Sequence, residues 1–589
     1  MQNNLKNKIL FLSHKEQQCG VYQFGRNIAE ALGKSKKYSF IYAECSDEEE
    51  FKSIITTIKP TAIIYNYYSS TMPWLNKRVL LRINVPNIGI IHEVSQYIAD
   101  RANDSIFDYH IAPDPTLLLK NPLVFKTGRL VPEYENSYEL PKVPTIGSFG
   151  FGTAGKGFER LISTIQSEFD EVIIRLHIPF ATFADADGSS ARAISQRCKE
   201  IIIKPNINII ISHDFLDQKQ LLDFLAQNSM NAFFYEQNNG RGISSVIDFA
   251  LAVQRPIAIT KSAMFRHLYS VSPSICIEDL SLKQILNNNF QSLTNYRREW
   301  SEANLIWDYE RIIETVLSLG FKRKSLPRKI WSKLGVVFKK IESRKSEDLW
   351  KPTIGLGVIE QQLNKDETFL PVSIPDVSLF NRILDDNARV QYKPVIDSLF
   401  KLLPEAMARK IPEANIQQAF VLDTVLKYAT RVLTPRILCI GSYDDTAAGA
   451  LKKYGFMMDE VDPVLNYDLS TFMQKPSTIK SSYNIIFSTS VIEHVKDDEL
   501  FISQIAELLT LSGIAVLTCD YNDQHKAGDS IPQEDFRMYT QKDFKERLLP
   551  LLKGCSLVDD PKWDCPNPDF KYAGCQYTFA SFVFRKNEL

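Results

Sequence analysis

At 589 residues the chain is too long for a single hydrophobic core and predicts three or four domains. Its 69 Lys and Arg nearly balance its 70 Asp and Glu, which excludes nucleic acid as a partner of the whole chain while leaving room for local basic patches. No apolar run reaches the roughly 18 residues that a membrane-spanning helix needs, and nine cysteines without a CxxC pair point to reduced thiols in a cytoplasm.

In chain order, the apolar "ILFL" near the N-terminus is too short for the core of a signal peptide and suits a first buried strand. "KILFLS", "FIYAE", "TAIIYN", "NIGIIHE" and "DYHIAP" read as strands, with "QFGRNIAEAL" and "EEEFKSIITTI" as helices between them. This alternation predicts a parallel α/β sheet over residues 1–138. A second round starts at "ELPKVPTIGSFG" and runs through "EVIIRLHIP", "NINIIISHDF", "MNAFFYE", "RPIAIT" and "SICIED". The amphipathic helix "WSEANLIWDYERIIETVLS" closes it, which gives a second unit over 139–320.

Residues 321–375 form a linker whose stretch "FKRKSLPRKIWSKLGVVFKKIESRK" is strongly basic. Apolar residues at helical spacing within 328–345 fit either an interfacial helix on the inner face of an anionic membrane or a connector packed on a neighbouring domain. A helical preamble from 376 leads into a third α/β unit ending at 589, with strands in "RILCIG", "FMMDEVDP", "YNIIFSTS", "GIAVLTCD" and "YTFASFVFR". Cys555, Cys565 and Cys575 stand ten residues apart, match no zinc site, and read as core or strand residues.

Two glycine-bearing turns frame the N-terminal half. "CGVYQFGRNIAEAL" sets Gly20 between the first strand and the first helix, and "TIGSFGFGTAGKGFERLIS" sets Lys156 in a glycine-rich loop before another helix. Amides, helix dipole and ammonium together face a phosphate. "NAFFYEQNNGRGISSVIDFALAVQRPIAIT" adds Arg241, Ser244 and Ser245 ahead of a further helix, and "IIHE" adds His92 and Glu93. With two tandem Rossmann-like units, these segments resemble the GT-B glycosyltransferases, especially the retaining kind that use nucleotide sugars.

That resemblance implies that Lys156 grips the diphosphate and that His92 sits near the donor sugar. It departs from the family in three places. Ser148 and Phe149 replace the usual arginine, so Arg241 can supply the second cation. Phe249, with Asp248 beside it, takes the place of one paired glutamate, and Arg241, with Glu236 upstream, that of the other. Asp185 and Asp187 look like a DxD motif, which belongs to another fold, and no metal is expected.

"RILCIGSYDDTAAGAL" reads as a strand, a turn at Gly441 and a helix, and a second strand ends at Asp462, roughly 20 residues on, where dinucleotide-type folds place a ribose-binding acid. The run from "YNIIFSTSVIEHV" through "LLTLSG" to "GIAVLTCDY" then resembles the class I S-adenosylmethionine-dependent methyltransferases. The resemblance implies that Asp462 holds the ribose, that Gly441 lies under the methionine part, that Asp468 or its neighbours approach the adenine, and that Glu493 and His494 line the mouth. Cys439 stands where the family carries an acid and Tyr443 where it carries a glycine, and Asp444 or Asp445 can receive the methionine ammonium. His494, Asp520 and His525 are candidates for the general base that a hydroxyl acceptor requires, with Arg537 and Tyr539 as substrate contacts. Asp520 and His525 read equally well as surface-loop residues.

The two resemblances together imply a cytoplasmic bifunctional enzyme of bacterial surface polysaccharide biosynthesis. It would transfer sugar from a nucleotide sugar and methylate a hydroxyl of a glycan, free or lipid-linked, from S-adenosylmethionine. The alternative is a methyltransferase carrying a non-catalytic glycan- or nucleotide-binding module, or a membrane-recruited scaffold with both sites silent.

Overall fold

The computed structural model describes residues 6–319 apart from 18, 81, 181–184, 186 and 239, then residues 371–374, and residues 379–588 apart from 433 and 527. The basic stretch 328–345 and the amphipathic helix expected there lie outside the described residues.

Six parallel strands form the first sheet: β1 (Lys8–Ser13), β2 (Ser39–Glu44), β3 (Ala62–Tyr65), β4 (Asn87–Ile90), β5 (Tyr109–Ala112) and β6 (Val124–Lys126), in the order β2-β1-β3-β4-β5-β6. The uninterrupted apolar run of β1 is buried, as a central parallel strand covered on both faces must be. Its Leu10 lies level with Ile41 of β2 and Ile63 of β3. The chain leaves β1 toward β2 on one side and returns as β3 on the other. The carboxyl ends of β1 and β3 therefore flank a topological switch point, where parallel sheets receive ligands.

β7 (Thr145–Phe149), β8 (Val172–His177), β9 (Ile207–Ser212), β10 (Met230–Phe233) and β11 (Ile257–Ile259) make a second parallel sheet in the order β11-β10-β7-β8-β9. "SICIED" contributes only a bridge from Cys276 to Ile259. The helix Glu302–Leu319, grouped by sequence with the second unit, packs Leu305, Tyr309, Ile312, Ile313 and Val316 into the core of the first, against Ile28 and Leu32 of the helix Gly20–Leu32. The chain thus crosses back over the crevice between the two units.

Buried ion pairs join these units. Arg129 holds Asp248 at 2.6 Å, with side chains 2% and 7% exposed, and also donates to the Pro113 carbonyl and Ser245 Oγ. Arg266 reaches the fully buried Asp114 and the Val94 carbonyl.

The third α/β unit has a mixed sheet. β12 (Ile437–Ile440), β13 (Met458–Val461), β14 (Tyr483–Thr489) and β15 (Leu509–Tyr521) are parallel, but β18 (Cys575–Lys586) runs antiparallel to β15. β16 (Cys555–Leu557) and β17 (Phe570–Tyr572) each pair antiparallel with β18, and the main order is β13-β12-β14-β15-β18-β16. The two-residue turn Ala573–Gly574, both at positive φ, folds β17 directly back on β18 as a hairpin, which a helical crossover cannot do. The helices Asp386–Leu402 and Asn415–Ala429 pack on this sheet through Tyr392, Val395, Leu399, Phe420 and Val425.

The third unit docks on the crossover and its helix. Asp459 of β13 accepts two 2.9 Å bonds from Arg298, Lys475 pairs with Glu299, Asn304 and Ser477 exchange hydrogen bonds, and Trp307 meets Tyr467 edge-on at 5.7 Å. Lys126 donates to the Leu465 carbonyl and, largely buried there, has its pKa lowered to about 8. Among the described residues no helix is long and apolar enough to cross a membrane.

Candidate functional sites

The N-terminal crevice lies between the carboxyl edge of the first sheet and the loops of the second unit. Lys156 precedes the helix Phe158–Glu168 and lies over the ring of Tyr235, 3.9 Å from its centroid. The Tyr235 hydroxyl is buried without a hydrogen-bond partner. From Tyr235 the chain runs through Glu236, beside Gly155, to Arg241 and Gly242. Gly242 abuts the first unit so closely that a β-carbon there would fall 2.0 Å from the His92 carbonyl oxygen. The segment from Tyr235 to Gly242 thereby meets Lys156 at one end and His92 of the first unit at the other, with Arg241 paired to Glu93 between them.

The states of these residues differ from the sequence expectation. Arg241 pairs with Glu93 at 2.5 Å across the crevice, so its charge is already partnered. Asp248, beside the position of a missing glutamate, is locked onto Arg129. Burial pushes the pKa of His92 down to about 3, so this ring is neutral. Its Nε2 is buried and has no partner, and its ring meets Phe24 at 5.2 Å. Ser244 is buried, with its amide bonded to the Met264 carbonyl. Gly20 opens the helix Gly20–Leu32 and has no heavy atom within 4 Å of a would-be β-carbon. Asp185 accepts the Ser190 and Ala191 amides, and Asp187 accepts that of Ser189, so the DxD-like pair caps the helix Ser189–Glu200. Sequence reasoning missed Arg129 and Arg266, because a buried cation and its acid lie more than a hundred residues apart and leave no local pattern.

The second site lies at the carboxyl ends of β12, β14 and β15. Gly441 adopts φ +82°, and a β-carbon there would fall 2.3 Å from Val491 Cγ2, so the glycine turn packs directly on "SVIEHV". Asp462 is buried; its two oxygens accept the amides of Val464 (2.7 Å) and Tyr443 (3.1 Å), which ties the loop after Gly441 to the ribose-type acid. Each oxygen keeps a further lone pair for a hydroxyl.

Asp445 caps the helix Thr446–Lys453 through Ala448, and Gln418 from the preamble caps the same helix through Thr446 and Ala447. Asp444 is committed to Arg409 at 2.5 Å and Lys410 at 3.6 Å, so it does not offer a free charge to an ammonium. Asp468 is exposed and caps the short helix Leu469–Met473 through Thr471.

Glu493 is fully buried; Ser490 donates to one oxygen at 2.8 Å and the other has no partner. His494 Nδ1 lies 3.1 Å from Asp535, and that carboxylate raises its pKa to about 9. The imidazole is therefore protonated at neutral pH and is not a base there. Burial, followed by the neighbouring charges of Glu493 and Asp535, pushes the carboxyl of Asp520 well above its ordinary range. His525 is half-buried, and its amide bonds to the Asn522 carbonyl. Arg537 and Tyr539 are not at the mouth: both bind Asp498, which Arg547 holds as well. Asp535 was not legible as a site residue, since it lies outside the motif and meets His494 only through folding.

Ser442 Oγ, Ser488 Oγ and Glu493 Oε2 are buried without hydrogen-bond partners, and all three belong to the exits of β12 and β14. Native folds leave few such groups, and clustered ones mark polar ligand sites. Among the described residues no group of three or more His, Cys, Asp or Glu side chains is placed to hold a metal ion.

No protein-family profile and no curated protein matches the chain. Solved structures similar to part of it include HepE of Anabaena in complex with UDP and glucose (13% identity, TM-score 0.38, 53% of this chain and 100% of that one). Sucrose-phosphate synthase from Thermosynechococcus elongatus (12%, 0.36, 58% and 100%) and the trehalose-6-phosphate synthase OtsA (10%, 0.39, 55% and 100%) are also similar.

Proposed function

We propose that the N-terminal crevice binds a nucleotide-sugar donor and transfers its sugar to a glycan, free or lipid-linked. The observation that carries this reading is the convergence of Lys156, the 235–245 loop and His92 at the carboxyl edges of two facing parallel sheets. Lys156 and the amides opening the helix Phe158–Glu168 neutralise the leaving diphosphate as the glycosidic bond breaks, which needs no metal. Neutral His92 hydrogen-bonds the sugar through its unpartnered Nε2. The test is release of nucleotide from UDP- and GDP-sugars by the full chain, expected to be lost in Lys156→Ala.

For the third unit the proposal is methylation of a glycan hydroxyl. Support comes from the strand order, in which antiparallel β18 lies between β15 and β16, and from the three unpartnered polar groups around Gly441, Ser442 Oγ, Ser488 Oγ and Glu493 Oε2. Those groups fit the amino-acid end of S-adenosylmethionine, and Asp462 fits its ribose. S-adenosylmethionine, when bound, supplies a methyl group on a sulfonium centre. Asp520, in its carboxylate form, takes the acceptor's hydroxyl proton, while His494, paired with Asp535, stays protonated and orients the acceptor. Photo-crosslinking of labelled S-adenosylmethionine tests this, with loss expected in Asp462→Ala.

One observation favours the second reading, a non-catalytic N-terminal module: Phe249 stands where a glutamate would touch the donor, and the acid beside it, Asp248, is locked by Arg129. Binding of nucleotide sugar without turnover would select it.

A further inference from the structure

His14, which no motif singles out, stands immediately after β1 at the switch point of the first sheet and is 2% exposed. Its Nδ1 accepts the amide hydrogen of Glu16 at 3.2 Å. A nitrogen that accepts cannot also carry the proton, so the neutral ring is the Nε2–H tautomer. Burial lowers the His14 pKa and keeps the ring in that neutral form.

Nε2–H is buried and has no partner. An unpaired donor of this kind costs about 1–3 kcal/mol, so its persistence at a strand end calls for an acceptor. Around it lie the Tyr22 ring, 5.8 Å between centroids, and the fully buried Asn66 at the end of β3, whose Oδ1 also lacks a partner. His92 at the end of β4 carries a third unpartnered atom and lies near enough for charge on one imidazole to oppose charge on the other. Three neighbouring strand ends thus each carry a buried polar atom without a partner, and two of them touch the start of the helix Gly20–Leu32 through Val21 and Tyr22.

We infer that His14 Nε2–H donates a hydrogen bond to an oxygen of the donor substrate, either a diphosphate oxygen or a sugar hydroxyl. The inference rests on the nucleotide-sugar reading of the crevice. His14 is a positioning and affinity residue: it moves no proton, and its ring stays neutral throughout.

Calorimetric titration of the full chain with UDP, GDP, UDP-glucose and GDP-mannose tests it, comparing wild type with His14→Phe, His14→Gln and Lys156→Ala, with unliganded melting curves as a folding control. For whichever ligand the wild type binds, His14→Phe is expected to weaken binding about tenfold, the value of one hydrogen bond, and His14→Gln, which keeps an N–H donor, to restore most of it. Equal loss for free nucleotide and sugar conjugate assigns the diphosphate oxygen, and loss for the conjugate alone assigns the hydroxyl; either supports the inference. Wild-type affinity in a folded His14→Phe, with loss in Lys156→Ala, overturns the inference and leaves the crevice reading standing. Failure of wild type to bind any of the four overturns both.

Discussion

Gly441 and Val491 are in van der Waals contact across the C-terminal site, with Val491 Cγ2 filling the space a β-carbon at Gly441 would need. The turn after β12 and the segment after β14 therefore form one surface. Gly441→Ala meets both this clash and a positive φ, and is expected to destabilise the third unit by about 1–3 kcal/mol. It should also abolish S-adenosylhomocysteine binding. Gly20→Ala, with open space around its β-carbon, should leave stability nearly unchanged. Urea unfolding of the two variants checks the contrast.

Arg129→Ala leaves Asp248 buried without its cation. Breaking such a pair from one side costs about 3–5 kcal/mol. Denaturant unfolding followed by tryptophan fluorescence should show the loss, and the double variant Arg129→Met with Asp248→Leu should recover much of it.

The His494–Asp535 contact gives the third unit a defined pH response. The folded pKa of about 9 lies above the ordinary 6.5, so the contact's stabilisation is complete below pH 6.5 and is lost as pH rises through 9. Asp535→Asn should bring the His494 pKa back toward its ordinary value and flatten that dependence, with Glu493 the remaining neighbouring acid. Histidine NMR titration of the full chain measures the pKa, and thermal melts from pH 6 to 10 read the stability.

Docking of the third unit on the crossover depends on Arg298 and Asp459. Arg298→Ala removes a two-pronged contact while Tyr483 and Arg436 still hold Asp459, so the expected cost is about 1 kcal/mol. Differential scanning calorimetry should then show the third unit melting apart from the first two.

The strands were legible because parallel sheets covered on both faces require continuous apolar runs, as in "ILFL" of β1 and "IAVLTC" of β15. β6, β16 and β17 leave no such trace, because each has only three residues and one of them is polar, whereas the equally short β11 is wholly apolar. The antiparallel course of β18 was hidden as well, since an apolar run does not encode direction. At the sites, the glycine turns and strand spacing point to Lys156, Gly441 and Asp462, and the resemblance alone points to His92. Charge partnerships were not readable: Glu93 on Arg241, Arg409 on Asp444 and Asp535 on His494 arise from loops that only the fold brings together.

The most direct test of the account is calorimetric titration of the full-length chain with S-adenosylhomocysteine, then with UDP and GDP, repeated on Asp462→Ala and Lys156→Ala. S-adenosylhomocysteine is expected to bind and to be lost only in Asp462→Ala, and one nucleotide to bind and be lost only in Lys156→Ala. Absence of both signals in the wild-type protein would contradict the account.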